Sequence, residues 1–240
     1  MYLDTHRKIL QYLMTAGSAT IEEVLNVYLS CFDEDVPEGD NLTNLNEVIT
    51  KINEVITPFH QEIRTGICEI TGNKYFIFIN TISNELSRMQ KEFKEKDLEY
   101  LKLLIEAIMH NPEKRLPEHV YLNIANRVHG NYSQNVAIDF IQDLIWKTYF
   151  IELDDCISFG LRFIYECEPY LREEFPDILN ECTLCKEFLF NGDKCMSCQV
   201  TFHKHCLKKY ISKRKKCPNC QTYINNNAEN EQPDKIQRTE

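Results

Sequence analysis

Between residues 182 and 220 the chain sets seven cysteines and a histidine in four pairs: Cys182-x2-Cys185, Cys195-x2-Cys198, His203-x2-Cys206 and Cys217-x2-Cys220. Two intervening residues form a tight turn that brings a pair of such side chains to the separation of neighbouring ligands around a tetrahedral ion. Four pairs therefore supply two complete zinc sites with no open coordination position. A segment this short has too little apolar volume to fold without staples, so the two ions are expected to be structural. A saturated zinc has no place for an activated water, and no catalytic residue is assigned. His205 is adjacent to Cys206 and cannot easily share a tetrahedron with it, which makes His203 the ligand. The spacing leaves open whether the pairs group sequentially or interleave.

The remaining cysteines, Cys31, Cys68, Cys156 and Cys167, have no ligand spacing and read as small core residues. His6, His60, His110, His119 and His129 are isolated and receive no chemistry. No run approaches the roughly 18 apolar residues of a membrane helix, and the Met1-Tyr2-Leu3-Asp4 start lacks a basic region followed by an apolar one. Neither secretion nor membrane insertion is expected. Paired thiols in such a chain point to metal thiolates in the nucleus or cytoplasm rather than to disulfides.

Ahead of the cysteines, the apolar periodicity predicts helix, helix, helix, hairpin, the winged-helix order, over residues 1–82. Thr5 to Ala16 is a helix stopped by Gly17. Thr20-Ile21-Glu22-Glu23 is a capping box opening a helix to about Cys31, and Leu45 to Ile56 recurs at helical spacing until Pro58. Strands at 62–70 and 75–79 flank the turn Thr71-Gly72-Asn73. A helical linker over 83–96 leads to the same order again in 97–175. Asp97 caps the first helix there, 118–127 is the second, and Ser133 caps the third, whose Val136, Ile138, Phe140, Ile141, Leu144 and Ile145 face inward, with Trp146 as its large aromatic. A hairpin turns at Asp154-Asp155, and an amphipathic segment, 161–174, packs on this second domain until Pro176. The expected fold is α+β: two tandem winged helices, a small two-zinc domain at 180–224, and a disordered tail at 225–240 that is nearly without apolar side chains.

Charge is unevenly shared. The formal charge of −10 divides into −14 over residues 1–180, +6 over 181–224 and −2 over the tail. Winged helices that enter DNA need lysine and arginine to meet phosphates. Here the third helix of the first module sets one Lys51 against Glu47 and Glu54, and that of the second sets Lys147 against Asp139 and Asp143. Both modules are read as protein-contacting, with DNA reached only through an assembled complex. The basic run Lys213-Arg214-Lys215-Lys216 reads as a solvated loop at least as readily as a phosphate contact or a localisation signal.

The ligand order C-C-C-C-H-C-C-C, with Leu184 before the second ligand, the Cys206-Leu207-x-x-Tyr210 helix start and the Cys217-Pro218-x-Cys220 end, resembles a variant RING finger. A plant-homeodomain finger shares the order but carries an aromatic where this chain has Lys215. The resemblance implies a cross-brace: Cys182, Cys185, His203 and Cys206 on one zinc, and Cys195, Cys198, Cys217 and Cys220 on the other. It further implies that Leu184, Tyr210 and Pro218 contact a ubiquitin-conjugating enzyme. Many active RINGs carry a basic residue just after the last ligand, whereas this chain has Gln221, which implies a ligase weak on its own.

With two winged helices in front, and with Ser158-Phe159-Gly160-Leu161-Arg162 and Glu166-x2-Pro169-Tyr170-Leu171 at the junction, the chain resembles the non-SMC element one family, RING-bearing subunits of the Smc five-six complex. That resemblance implies a nuclear RING-type ubiquitin ligase subunit in DNA repair and recombination. Its implied partners are a MAGE-type winged-helix subunit, a kleisin-type subunit and the conjugating enzyme. The alternative is a non-catalytic adaptor whose zinc domain buttresses assembly.

Overall fold

The first helix, α1 (Asp4–Ala16), stops where Gly17 takes a φ of 72° and returns its N–H to the Leu13 carbonyl. Such a turn favours a residue without a Cβ. The computed structural model describes residues 2–32, 39–69, 71–81, 93–190 and 192–224. Most of the expected linker helix (83–92) and the expected disordered tail (225–240) lie outside the described residues.

After Gly17 come β1 (Ser18–Thr20), α2 (Ile21–Leu29), α3 (Asn41–Ile56), β2 (Gln61–Ile67) and β3 (Lys74–Asn80). The capping box is formed as expected: the Thr20 hydroxyl accepts the Glu23 N–H, and the Glu23 carboxylate accepts the Thr20 N–H. Helix α2 ends at Leu29, two residues before the expected Cys31, and β2 ends at Ile67 rather than at residue 70. The Asn53 side chain docks α3 on β2, accepting the Ile63 N–H at 2.8 Å and donating to the Ile63 carbonyl at 2.9 Å. Strand β3 pairs antiparallel with both neighbours, in the order β1-β3-β2. The core beneath this sheet includes Ile9, Leu13, Val24, Leu45, Ile52 and Phe76.

The second pass repeats the plan: α4 (Glu95–His110), β4 (Leu116–Pro117), α5 (Glu118–Ile124), α6 (Gln134–Trp146), β5 (Phe150–Leu153) and β6 (Cys156–Phe159), with the sheet order β4-β6-β5. Its hairpin closes through Asp154 and Asp155, both left-handed at φ 47° and 59°, as a two-residue loop between twisted strands requires. Asp97 is not the cap of α4. It sits in the first turn, its carboxylate accepting the Lys94 N–H, because the helix begins two residues earlier. On α6 the inward face consists of Ala137, Phe140, Ile141 and Leu144, whereas Val136 and Trp146 are exposed. Ile138 and Ile145 are half-buried at the edges of that face, Val136 lies on the outer side, and Trp146 is the last residue of the helix.

Helix α7 (Leu161–Glu174) follows. Phe163 packs edge-on against Phe150 and at a tilt against Phe159 of the second module, as expected. The helix also packs against the hairpin of the first module: a Cβ added at Gly66 of β2 would stand 2.9 Å from the Tyr165 ring, and Glu166 bonds Asn80 of β3. The Arg162 guanidinium donates to the Lys147 carbonyl and to Glu166 and lies over the Tyr149 ring. The described residues up to Leu179 thus form one compact unit, and those from Asn180 onward a second. Among the described residues no helix is long and apolar enough to cross a membrane.

Candidate metal centre

The second unit is built on three copies of one turn. In each, the first cysteine's carbonyl accepts the N–H of the residue four positions on: Cys182 from Lys186 at 2.8 Å, Cys195 from Gln199 at 2.9 Å and Cys217 from Gln221 at 3.0 Å. Lys186, Gln199 and Gln221 are all left-handed, with φ between 59° and 63°. In each turn the first cysteine's own N–H then donates to the next residue along, to the carbonyls of Glu187, Val200 and Thr222. Each turn points its two sulfurs the same way. The strand pairs β7 (Asn180–Glu181) with β8 (Phe188–Leu189), and β9 (Asp193–Lys194) with β10 (Thr201–Phe202), hold the turns in place, and α8 (Lys204–Ile211) carries Cys206. One apolar cluster of the unit is Phe202, Cys182, Cys195 and Cys217 with the half-buried residues around them, and Phe188, Leu189 and Phe190 are buried as well.

Two ligand sets result, and they interleave along the chain. Cys182, Cys185, His203 and Cys206 form one, and Cys195, Cys198, Cys217 and Cys220 the other, with the ligating atoms of each set all within 4.8 Å of one another. Cys195 and Cys220 sulfurs are 3.7 Å apart, as are those of Cys198 and Cys217; His203 Nδ1 is 3.3 Å from the Cys185 sulfur and 3.7 Å from that of Cys206. Bonds of about 2.3 Å from zinc to sulfur put tetrahedral neighbours at about 3.8 Å, so both sets are of a size and donor chemistry that could hold zinc. His203 donates from Nε2 to the Phe188 carbonyl at 2.9 Å, which leaves the Nδ1 lone pair facing the sulfurs. His205 stacks on the His203 ring and is outside the set.

The sulfurs are electrostatically divided. Burial and the nearby sulfurs of Cys182 and Cys185 push Cys206 up to about 12, and burial pushes Cys217 up to about 11. Burial also opposes ionisation of Cys182, but the N–H groups of Cys185, His203 and Leu184 converge on its sulfur and bring it to about 7. The hydroxyl and N–H of Thr222 hold Cys220 at about 6. Ionising every thiol of either set, three in the first and four in the second, is favoured by a cation among them.

Of the three residues assigned to conjugating-enzyme contact, Tyr210 and Pro218 line one open groove of about 480 Å³ together with Arg214, Lys215, Lys216, Gln221 and Tyr223. Leu184 is half-buried against the cysteine core and does not line it. Among the other cysteines, Cys68 and Cys167 are buried, while Cys31 and Cys156 are half-exposed. Sequence reasoning missed the Phe188 carbonyl that fixes the His203 tautomer, and the left-handed residue after each pair. The first leaves no mark in a sequence; the second could have been found from the threefold recurrence of the C-x2-C turn.

Residues 6–134 match the family described as Nse1 non-SMC component of SMC5-6 complex, and residues 182–220 match a RING-like domain. The Non-structural maintenance of chromosomes element 1 homolog of Homo sapiens is 26% identical over 223 residues, 92% of this chain and 84% of that protein. The Rattus norvegicus protein of the same name is 27% identical over the same shares, and that of Drosophila melanogaster 34% identical over 82 residues, about a third of each chain. A solved chain described as part of the Nse1-Nse3-Nse4 complex superposes with a TM-score of 0.77 at 22% identity, covering 93% of this chain and 97% of its own, a likeness of fold.

Proposed function

Since this chain belongs to the Nse1 family of non-SMC components of the SMC5-6 complex, we propose that it is the RING-type ubiquitin ligase subunit of such a complex, acting in DNA repair and recombination in the nucleus. Two structural zinc ions occupy the interleaved sets, one on Cys182, Cys185, His203 and Cys206, the other on Cys195, Cys198, Cys217 and Cys220. A ubiquitin-charged conjugating enzyme docks on the zinc-held surface and is held with its thioester in a reactive geometry, a positioning effect in which no side chain of this chain gains or loses a proton. The observation that carries this reading is the juxtaposition of Tyr210, on the central helix, with Pro218, in the last cysteine turn, along one open groove. Leu184 contributes from within the first turn.

The winged helices serve assembly. Their net charge of −14 over residues 1–180 suits protein contact better than phosphate contact. The name of the solved neighbour supports a MAGE-type Nse3 and a kleisin-type Nse4 as the partners, with DNA reached by the winged helices only through that assembly.

The test is ubiquitin discharge from a charged conjugating enzyme by zinc-loaded chain with its MAGE-type partner. Loss of discharge in Tyr210→Ala and Leu184→Ala with both zinc ions retained places the activity on this surface. The competing reading, an assembly subunit whose zinc is architectural, is favoured by Gln221, whose side chain turns back to the Pro218 carbonyl and leaves no cation there. No discharge by wild type with any conjugating enzyme, together with complex assembly that Cys217→Ser abolishes, would decide for that reading.

A further inference from the structure

The run Lys213-Arg214-Lys215-Lys216 supplies no ligand to either cluster, yet it is tied down at both ends. Lys213 and Arg214 donate their N–H groups to the Tyr210 carbonyl at 3.0 and 2.9 Å, closing α8. The Ile224 N–H returns to the Lys215 carbonyl at 3.0 Å, and Lys216 pairs with Tyr223 in an antiparallel bridge. Arg214, Lys215 and Lys216 are exposed and share the wall of the groove with two tyrosines, a proline and a glutamine. Among the described residues no acidic side chain lines it, in a chain whose formal charge is −10. Tyr223 is 67% exposed, with the Lys216 ammonium 5.2 Å from its ring centroid.

We propose that this groove binds single-stranded nucleic acid, with a base stacked on Tyr223 and backbone phosphates met by Arg214, Lys215 and Lys216. Cations tied side by side on one concave wall, with no carboxylate among them, repel one another unless an anion is shared. That alone would suit an acidic peptide. The exposed aromatic ring decides for a polynucleotide, because a cationic groove with an aromatic platform matches both halves of an unpaired strand, its phosphates and its base faces. A duplex keeps its bases stacked inside and offers Tyr223 no face. The site stands whether or not the ligase reading does. Because Tyr210 and Pro218 line the same groove, a bound strand and a docked conjugating enzyme exclude each other.

Binding of a fluorescent oligothymidylate to the full, zinc-loaded chain, followed over a salt series, tests this. Three phosphate contacts give a slope of log K against log salt of about −2, and Arg214→Gln with Lys215→Gln reduces it to about −0.7. Tyr223→Ala weakens binding by roughly five- to 150-fold while Tyr223→Phe preserves it, with zinc content unchanged in both. The proposal is overturned if the strand does not bind at low salt or if Tyr223→Ala binds as tightly as wild type. Displacement of the strand by polyglutamate or by a duplex at equal charge concentration overturns it equally, since the groove would then read charge alone.

Discussion

The Glu166 carboxylate, on α7, accepts hydrogen bonds from both the main-chain N–H and the side-chain amide of Asn80, at 3.3 and 3.5 Å, across 86 residues of sequence. The same oxygen takes the Arg162 guanidinium, while the second carboxylate oxygen is buried with no hydrogen-bond partner among the described residues. One buried group thus fastens the end of the first winged helix to the helix that closes the second. Glu166→Ala leaves Arg162 facing a hole and the Asn80 amide unbonded, a loss of about 3 kcal/mol. Urea unfolding of residues 1–179 should show it, with a broadened transition as the two modules come apart separately.

Gly160 opens α7 against the preceding turn, and a Cβ there would stand 2.3 Å from the Thr148 carbonyl oxygen. The obstacle is main chain and cannot rotate away. At Gly66 the nearest obstacles, Ile77 and Tyr165, are side chains that can give. Gly160→Ala should therefore cost more than Gly66→Ala, about 3 against about 1 kcal/mol, by chemical denaturation.

Chelation should unfold the second unit and spare the first. Trp146, the chain's one tryptophan, is in the first unit, so its fluorescence should stay constant while the far-ultraviolet signal of α8 falls. Reloading should release protons, because thiols of the unfolded, metal-free segment are largely protonated at neutral pH and must ionise to bind zinc. Zinc affinity accordingly rises with pH and falls as protons compete for those sulfurs. A competitive-chelator titration at pH 6.5 and pH 8 checks the sign.

His203 and His205 are stacked neighbours with different expected fates. His203→Ala should lower bound zinc from two ions to one, whereas His205→Ala should keep two. His203→Cys should restore the second ion, since the sulfur is a competent ligand, although the bond to the Phe188 carbonyl is lost. Elemental analysis of the purified variants reads all three.

Gln221 occupies a left-handed position at φ 61°, where a Cβ is unfavourable. Gln221→Gly should stabilise the zinc unit by about 1 kcal/mol, and the β-branched Gln221→Val should destabilise it by a similar amount, as read by the chelator concentration at half-unfolding.

What the residues announced in advance was whatever depends on local rules. The capping box at Thr20, the stop at Gly17, the Asp154-Asp155 hairpin and the four ligand pairs need only neighbours in sequence, and each was legible. Strand β1 was not, because three residues carry no periodicity and exist as a strand only through pairing with β3, which lies 54 residues or more further along. Val136 was misread for a related reason: helical spacing finds an apolar stripe but does not fix its edges, and the true inner face is centred on Ala137, Phe140 and Leu144. The second contact of α7 rests on Glu166 and Gly66, a charged residue and a glycine, and neither signals burial in a sequence. At the zinc unit spacing supplied the ligands, but which pairs shared an ion was set by the way three similar turns face one another in space.

Helix α7 lies on both winged helices at once, gripping the first through Tyr165 and Glu166 and the second through Phe163. Part of the joint between the halves is therefore supplied from downstream of both, beside the direct contact of Gly17 with Lys147 and Thr148. A chain truncated before Leu161 should keep only the direct contact between its halves and lose the clamp that spans them.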